Sequence, residues 1–177
     1  MRKVILYIVM SLDGFIADRN GSVDWLTGQD AGVESADSFP EFVKGVDTVI
    51  MGWRTYHQIV TELSPERWVY DSLDSYVLTH RKLPPADRIT FTAEDPCALA
   101  TRLKEGDGKD IWICGGAHIA SQLVDQDLID VYHLAIVPTV LGDGLRLFPE
   151  KSRCIPLRLV ESSSSNGIVE LVYRQRS

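Results

Sequence analysis

Two stretches of this chain share one grammar: an apolar run, a glycine, then a helix start. In "VIMGWRTYHQI" (49–59), Gly52 breaks the run, and Trp53, Arg54 and Thr55 fall where a helix would begin. In "ICGGAHIASQL" (113–123), Gly115 and Gly116 play that part, and Ala117, His118, Ile119 and Ala120 follow. A helix N-terminus presents unpaired N–H groups and about half a positive charge. Each stretch is therefore either an anion site or a plain strand-to-helix turn. If both runs belong to one open sheet, their carboxyl ends share an edge, and two anion sites there would suit a dinucleotide diphosphate. The Rossmann fingerprint is absent, because the second stretch reads Gly-Gly-x-x-x-Ala and no acid follows about 20 residues on.

Two further stretches could complete such a cleft. "LTHRK" (78–82) ends a strand with Thr79, His80 and Arg81. A guanidinium fork with hydroxyls could hold an extra phosphate, such as the one that distinguishes NADPH from NADH, or the stretch is a solvated loop. "SLDGFIADRNGSVDWL" (11–26) is a long loop directly after the first strand, a good place for a lid. Trp25 near its end offers a flat surface for a substrate ring. The alternative makes Asp13-Gly14 and Asn20-Gly21 simple turns and Trp25 core. Other chemistries are missing: no GxSxG elbow, no Walker loop and no HExxH pair. His57, His80, His118 and His133 read as surface or capping groups. Cys97, Cys114 and Cys154 are far apart and suggest neither a disulfide framework nor a metal site. The hard chemistry would then come from a cofactor.

The elements that must position these residues can be read from periodicity. Val4 to Met10 is continuous and apolar, as in a strand buried on both faces. Asp47 to Met51, 75–80, 88–91, 110–114 and 131–138 read as further strands. Phe39, Phe42, Val43 and Val46 recur at helical spacing with Pro40 in the first turn. A second helix follows Pro96 and a third follows Gly116. The chain closes on two alternating runs around Asn166-Gly167, a hairpin signal. Strands alternating with helices and a final hairpin predict an α/β fold: a mixed sheet of about eight strands, mostly parallel, with a C-terminal antiparallel hairpin and flanking helices. One domain over 1–177 is expected from a length of 177 residues.

Composition narrows the partners. A net charge of −7 argues against a general nucleic-acid or anionic-membrane binder. The opening "MRKVILYIVMSLDG" has two basic residues and a short apolar run, but Asp13 interrupts it and no small-residue cleavage site follows. It reads as a strand. A cytoplasmic protein with a small-molecule substrate is expected.

Taken together, "SLDGFIA" (11–17), "DTVIMGWRTY" (47–56), "VLTHR" (77–81), "IWICGGAHIASQLVDQDLIDVYHLAIVPTVLGDGLRLF" (111–148) and the closing hairpin resemble the dihydrofolate reductase superfamily. Within it they are most similar to single-domain proteins like the C-terminal reductase domain of the riboflavin-biosynthesis deaminase-reductase. The resemblance implies NADPH as hydride donor and a homodimer. It carries cofactor contacts onto Gly52 to Thr55, Thr79 to Arg81 and Gly115 to Ala120, with the loop bearing Ala17 beside the nicotinamide. It also implies a cis peptide between the paired glycines. Asp37 falls nearest the acid that dihydrofolate reductases place on their first helix. Asp37 and Asp13 are therefore the candidate proton donors, and Trp25 and Phe42 the candidate substrate contacts. Where the riboflavin-pathway reductases carry an acid before the phosphate-binding glycine, this chain has Cys114 or Gly115. A true dihydrofolate reductase and a non-catalytic nucleotide-binding dimer remain the rival expectations.

Overall fold

The computed structural model describes residues 1–84, 86–150 and 153–176. Ten strands and four α-helices follow in the order β1 (Val4–Ser11), β2 (Phe15–Ala17), α1 (Phe39–Lys44), β3 (Val46–Gly52), α2 (Trp53–Gln58), β4 (Asp74–Leu78), β5 (Ile89–Thr92), α3 (Pro96–Glu105), β6 (Asp110–Gly115), α4 (Ala117–Asp125), β7 (Val131–Val137), β8 (Leu145–Arg146), β9 (Leu157–Ser165) and β10 (Ile168–Gln175). Eight strands form one sheet in the order β5-β4-β3-β6-β1-β7-β10-β9, and β2 and β8 pair separately. The six strands from β5 to β7 are parallel. β10 runs antiparallel to β7 and to β9. All six parallel carboxyl ends therefore lie on one edge, which carries both strand-glycine-helix stretches and the "LTHRK" stretch.

The apolar runs are strands because both sheet faces are covered. Along β1, Val4 and Leu6 enter a cluster with Leu99, Leu103, Ile119 and Leu123 of α3 and α4. Tyr7 enters the opposite cluster with Val49, Met51, Trp112 and the partly buried Phe39 and Phe42 of α1. This is the period of two along a strand buried on both sides. α3 begins where Asp95 accepts hydrogen bonds from the N–H groups of Cys97 (3.0 Å) and Ala98 (2.9 Å), with Pro96 behind it. The β9–β10 turn uses Asn166 (φ +47°) and Gly167 (φ +76°), the left-handed pair that the Asn-Gly signal predicts.

Two elements differ from the sequence expectation. α1 begins at Phe39, so Asp37 stands before the helix, where its carboxylate accepts the Phe39 N–H at 2.9 Å. α2 passes into a π-helical turn over Ile59–Leu63, which no periodicity announces. No helix among the described residues is long and apolar enough to cross a membrane.

Candidate active site

β3 and β6 are neighbours, so the two strand-glycine-helix units meet. A Cβ added at Gly52 would lie 3.2 Å from Ile119 Cδ1, and one at Gly116 would lie 3.8 Å from Thr55 Oγ1. Both helix-capping positions, Gly52 and Gly116, have extended backbones and no side-chain cap. The first N–H groups of α2, and those of Ala117 and His118 in α4, are thus left to the same stretch of edge, while the Ile119 N–H donates to the Gly116 carbonyl at 3.1 Å. Gly115 has φ +127°, a conformation that requires glycine, and the Gly115-Gly116 peptide is cis. Ala117, Ile119 and Ala120 are buried in the core, so the side chains assigned to the cofactor there face inward. What those residues can offer a ligand is backbone. His118 is exposed.

The next strand end adds a cation. The Arg81 guanidinium lies over the Trp53 ring at 4.9 Å, a stacked pair that leaves the fork's edge for an oxyanion. Thr79 Oγ1 accepts the Arg81 N–H at 3.1 Å and so shapes the turn that holds it. Arg54 and His80 are exposed nearby. The Trp53 ring lies against Tyr56 and His57, at 5.6 and 5.4 Å, on the α2 surface.

The loop after β1 is braced. Ser11 Oγ donates to Asp13 Oδ1 at 2.6 Å, and the N–H groups of Leu141 (3.1 Å) and Gly142 (2.7 Å) donate to the same carboxylate. Burial works against its charge, but these hydrogen bonds outweigh burial and hold the carboxyl at about 2. Asp13 is therefore an ionised anchor with no proton to give at neutral pH, which corrects its assignment as a proton donor. It ties the 11–17 loop to the 139–146 loop, and β2 pairs with β8 beside it to set Ala17 on the edge. Gly144 (φ +145°) leaves no room for a side chain next to the Ala17 carbonyl. Because the folded value lies below the ordinary 3.8, this anchor stabilises above about pH 4 and is lost as pH falls towards 2. The gap in urea stability between wild type and Asp13→Ala should be full at pH 6 and shrink at pH 2.5. A gap equal at both values contradicts the anchor.

Three other assignments change. Asp37 is exposed and stands before α1, where its carboxylate accepts the Phe39 N–H, rather than on the helix itself. The Phe42 ring stacks on Tyr7 at 4.4 Å and meets Trp112 edge-on at 5.7 Å, so its faces are used in packing. Trp25 is half-buried, and its indole N–H donates to the Ser22 carbonyl at 2.9 Å, a bond within its own turn.

The sequence missed a polar group beneath the 23–38 segment. Glu170 Oε2 on β10 accepts from Ser38 Oγ at 2.5 Å and pairs with His133 Nε2 on β7 at 2.7 Å. Tyr7 Oη lies 3.0 Å from Ser38 Oγ. His133 is thus no surface or capping group: its side chain is only 13% exposed. The available signal was faint, a lone His inside the apolar run of β7 and a lone Glu in the alternating β10. Cys114, one residue before the end of β6, lies beside Tyr70, and burial pushes its thiol up to about 12. It is neutral and no nucleophile.

A mixed sheet in this order, parallel through β7 and closed by an antiparallel hairpin, is the dihydrofolate-reductase-like fold. Within that class the family is set by likeness over nearly the whole chain. The RibD C-terminal domain model matches residues 2–169, and the chain belongs to that family. Over 175 residues it is 37% identical to YwjB of Bacillus subtilis (strain 168), covering 97% of both chains. It is 31% identical to YyaP of the same organism, covering 97% of this chain and 94% of that one. Among solved structures, a Shewanella sp. PV-4 protein assigned provisionally to riboflavin biosynthesis superposes with a TM-score of 0.80 at 24% identity, covering 99% of each chain. The Thermotoga maritima diaminohydroxyphosphoribosylaminopyrimidine deaminase/5-amino-6-(5-phosphoribosylamino)uracil reductase gives a TM-score of 0.68 at 18% identity, covering 99% of this chain and 57% of that one.

Proposed function

We propose that the protein is an NADPH-dependent reductase that delivers hydride to a small heterocyclic or carbonyl substrate, in the manner of 5-amino-6-(5-phosphoribosylamino)uracil reductase. The observation that carries this reading is the junction of two uncapped helix starts at adjoining strand ends, with Thr55 between them and Arg81 one strand further out. The first-turn N–H groups of α2 and α4 fit a diphosphate. Arg81 and Thr79 fit the phosphate that distinguishes NADPH. When bound, the dinucleotide supplies the hydride. The braced 11–17 loop and Ala17 border the reacting ring and exclude water. Asp13 and Asp37 are committed to backbone N–H groups, so the proton comes from solvent.

The rival readings fit less well. A dihydrofolate reductase carries its acid on the first helix, whereas Asp37 stands before α1 and its carboxylate accepts the Phe39 N–H. A scaffold that lost its cofactor would let Trp53 fill the glycine junction, whereas its ring lies under Arg81. A cytoplasmic homodimer completes the proposal. Its three free thiols suit a reducing compartment. The exposed Leu159 and Val169, on one face of the hairpin, suit a face between two copies.

Quenching of tryptophan fluorescence on titration with NADPH and with NADH tests the reading. NADPH should bind more tightly, and Arg81→Ala should weaken it about tenfold while leaving NADH nearly unchanged. Equal affinities, or no binding of either, overturn the assignment.

A further inference from the structure

We propose that the substrate end of this cleft takes an uncharged polyol or amine tail and rejects a phosphate ester. The proposal rests on the reductase reading above and deepens it. A cavity of about 160 Å³ opens beside the start of β10, lined by Asp37, Ser38, Ser163, Ser165, Ile168 and Glu170, among others. The start of β10 pairs with the carboxyl end of β7, Val169 opposite Ile136, and that end pairs with the end of β1, Met10 beside Ile136. The cavity therefore shares the edge that carries Gly52 and Gly116. It also lies on the α1 side, where Glu170 meets His133 and Ser38. Strands stand about 4.8 Å apart, so the cavity is about 10 Å beyond β1 along the edge. That is the length of one ring and a short tail.

The lining chemistry selects the tail. Ser38 and His133 both meet Oε2 of Glu170, and among the described residues Oε1 is left to accept from a ligand hydroxyl or N–H. Ser165 Oγ accepts the Ala36 N–H at 2.8 Å and keeps its own proton to donate. Ser163 stands directly opposite Glu170 on β9. No Lys or Arg lines the cavity among the described residues. His133 reaches the cavity only through Glu170, with which it pairs at 2.7 Å. Arg81 follows β4, five strand spacings or about 24 Å from β10. A phosphate here would meet the carboxylates of Asp37 and Glu170 and no Lys or Arg of the lining, whereas phosphate sites are built from Arg, Lys or clustered N–H groups. A hydroxyl-rich or amine-bearing tail of pentose size fits both the volume and the acceptors.

The test is equilibrium binding by calorimetry to the NADP⁺-loaded protein. The probes are 5-amino-6-(5-phosphoribosylamino)uracil and the same compound with its phosphate removed. The dephosphorylated compound should bind about 30-fold more tightly. Glu170→Gln should narrow the gap. Ser163→Arg, at an exposed edge-strand position, should raise affinity for the phosphate ester at least about tenfold without touching the buried network. Equal or tighter binding of the phosphate ester by the wild type overturns the proposal, as does failure of both compounds to bind. If NADPH itself does not bind, the reductase reading fails, and the same comparison on cofactor-free protein still decides what the cavity accepts.

Discussion

Arg2→Ala should cost about 3–5 kcal/mol of folding stability, the largest loss expected from any single side chain outside the apolar core. Arg2 is 7% exposed, yet it carries a full charge. Its Nε donates to the Lys109 carbonyl at 2.5 Å, and its Nη1 to the Leu103 carbonyl at 3.2 Å. Its Nη2 reaches Thr48 Oγ1 at 2.6 Å and pairs with Asp47. Asp47 in turn accepts the Lys109 N–H at 2.7 Å. One guanidinium thus ties the start of the chain to β3, to the end of α3 and to the turn before β6. Removing it takes the guanidinium donor from the Lys109 carbonyl and the counter-charge from Asp47, and it leaves the Leu103 carbonyl with the Gly106 N–H alone and Thr48 with Asp47 alone. With a urea slope of about 2 kcal/mol/M, the midpoint should fall by about 2 M. Arg2→Lys should recover only part of this, because one ammonium cannot span that fork. A midpoint within about 0.5 M of wild type for Arg2→Ala would show that the network contributes little.

Arg2 also marks where sequence reading stops. In the sequence it is one of two basic residues before a short apolar run, and nothing local marks it as buried. Its acceptors come from positions 47, 48, 103 and 109, which only the folded sheet assembles. His133 and Glu170 were hidden for the same reason: they meet across the β7–β10 pairing, 37 residues apart. Features fixed by local chemistry were legible. The apolar runs became β1, β3, β6 and β7, because strands covered on both faces must be largely apolar, and the shorter runs at 75–80 and 88–91 became β4 and β5. Asn166-Gly167 became the hairpin turn, because few residue pairs adopt two left-handed conformations. The two glycine junctions were legible as positions, and the structure adds that they adjoin. The carboxylates were not legible, since Asp13 and Asp37 look alike in sequence, and only their backbone partners make one a loop anchor and the other a helix-start acceptor.

Gly52→Val separates the two readings of the glycine junction, a phosphate cradle or a tight turn. Gly52 has φ −82° and ψ 163°, extended backbone that valine adopts without strain. The nearest atom to its added Cβ is Ile119 Cδ1 at 3.2 Å, the end of a flexible side chain that can shift. The fold should therefore survive with a loss of about 1–2 kcal/mol. The isopropyl group would then occupy the gap between the α2 and α4 helix starts, where diphosphate oxygens must approach the N–H groups. NADPH affinity should drop at least about 100-fold, or about 2.7 kcal/mol. Gly115 is the poorer probe, because its φ of +127° makes any substitution there a test of folding as well. The decisive comparison is the urea midpoint against NADPH affinity in the same variant. A stable Gly52→Val protein that binds NADPH within threefold of wild type would make the junction a turn and nothing more. A stable protein that has lost the cofactor makes glycine at this position a requirement of the ligand, since the backbone alone would have accepted a side chain.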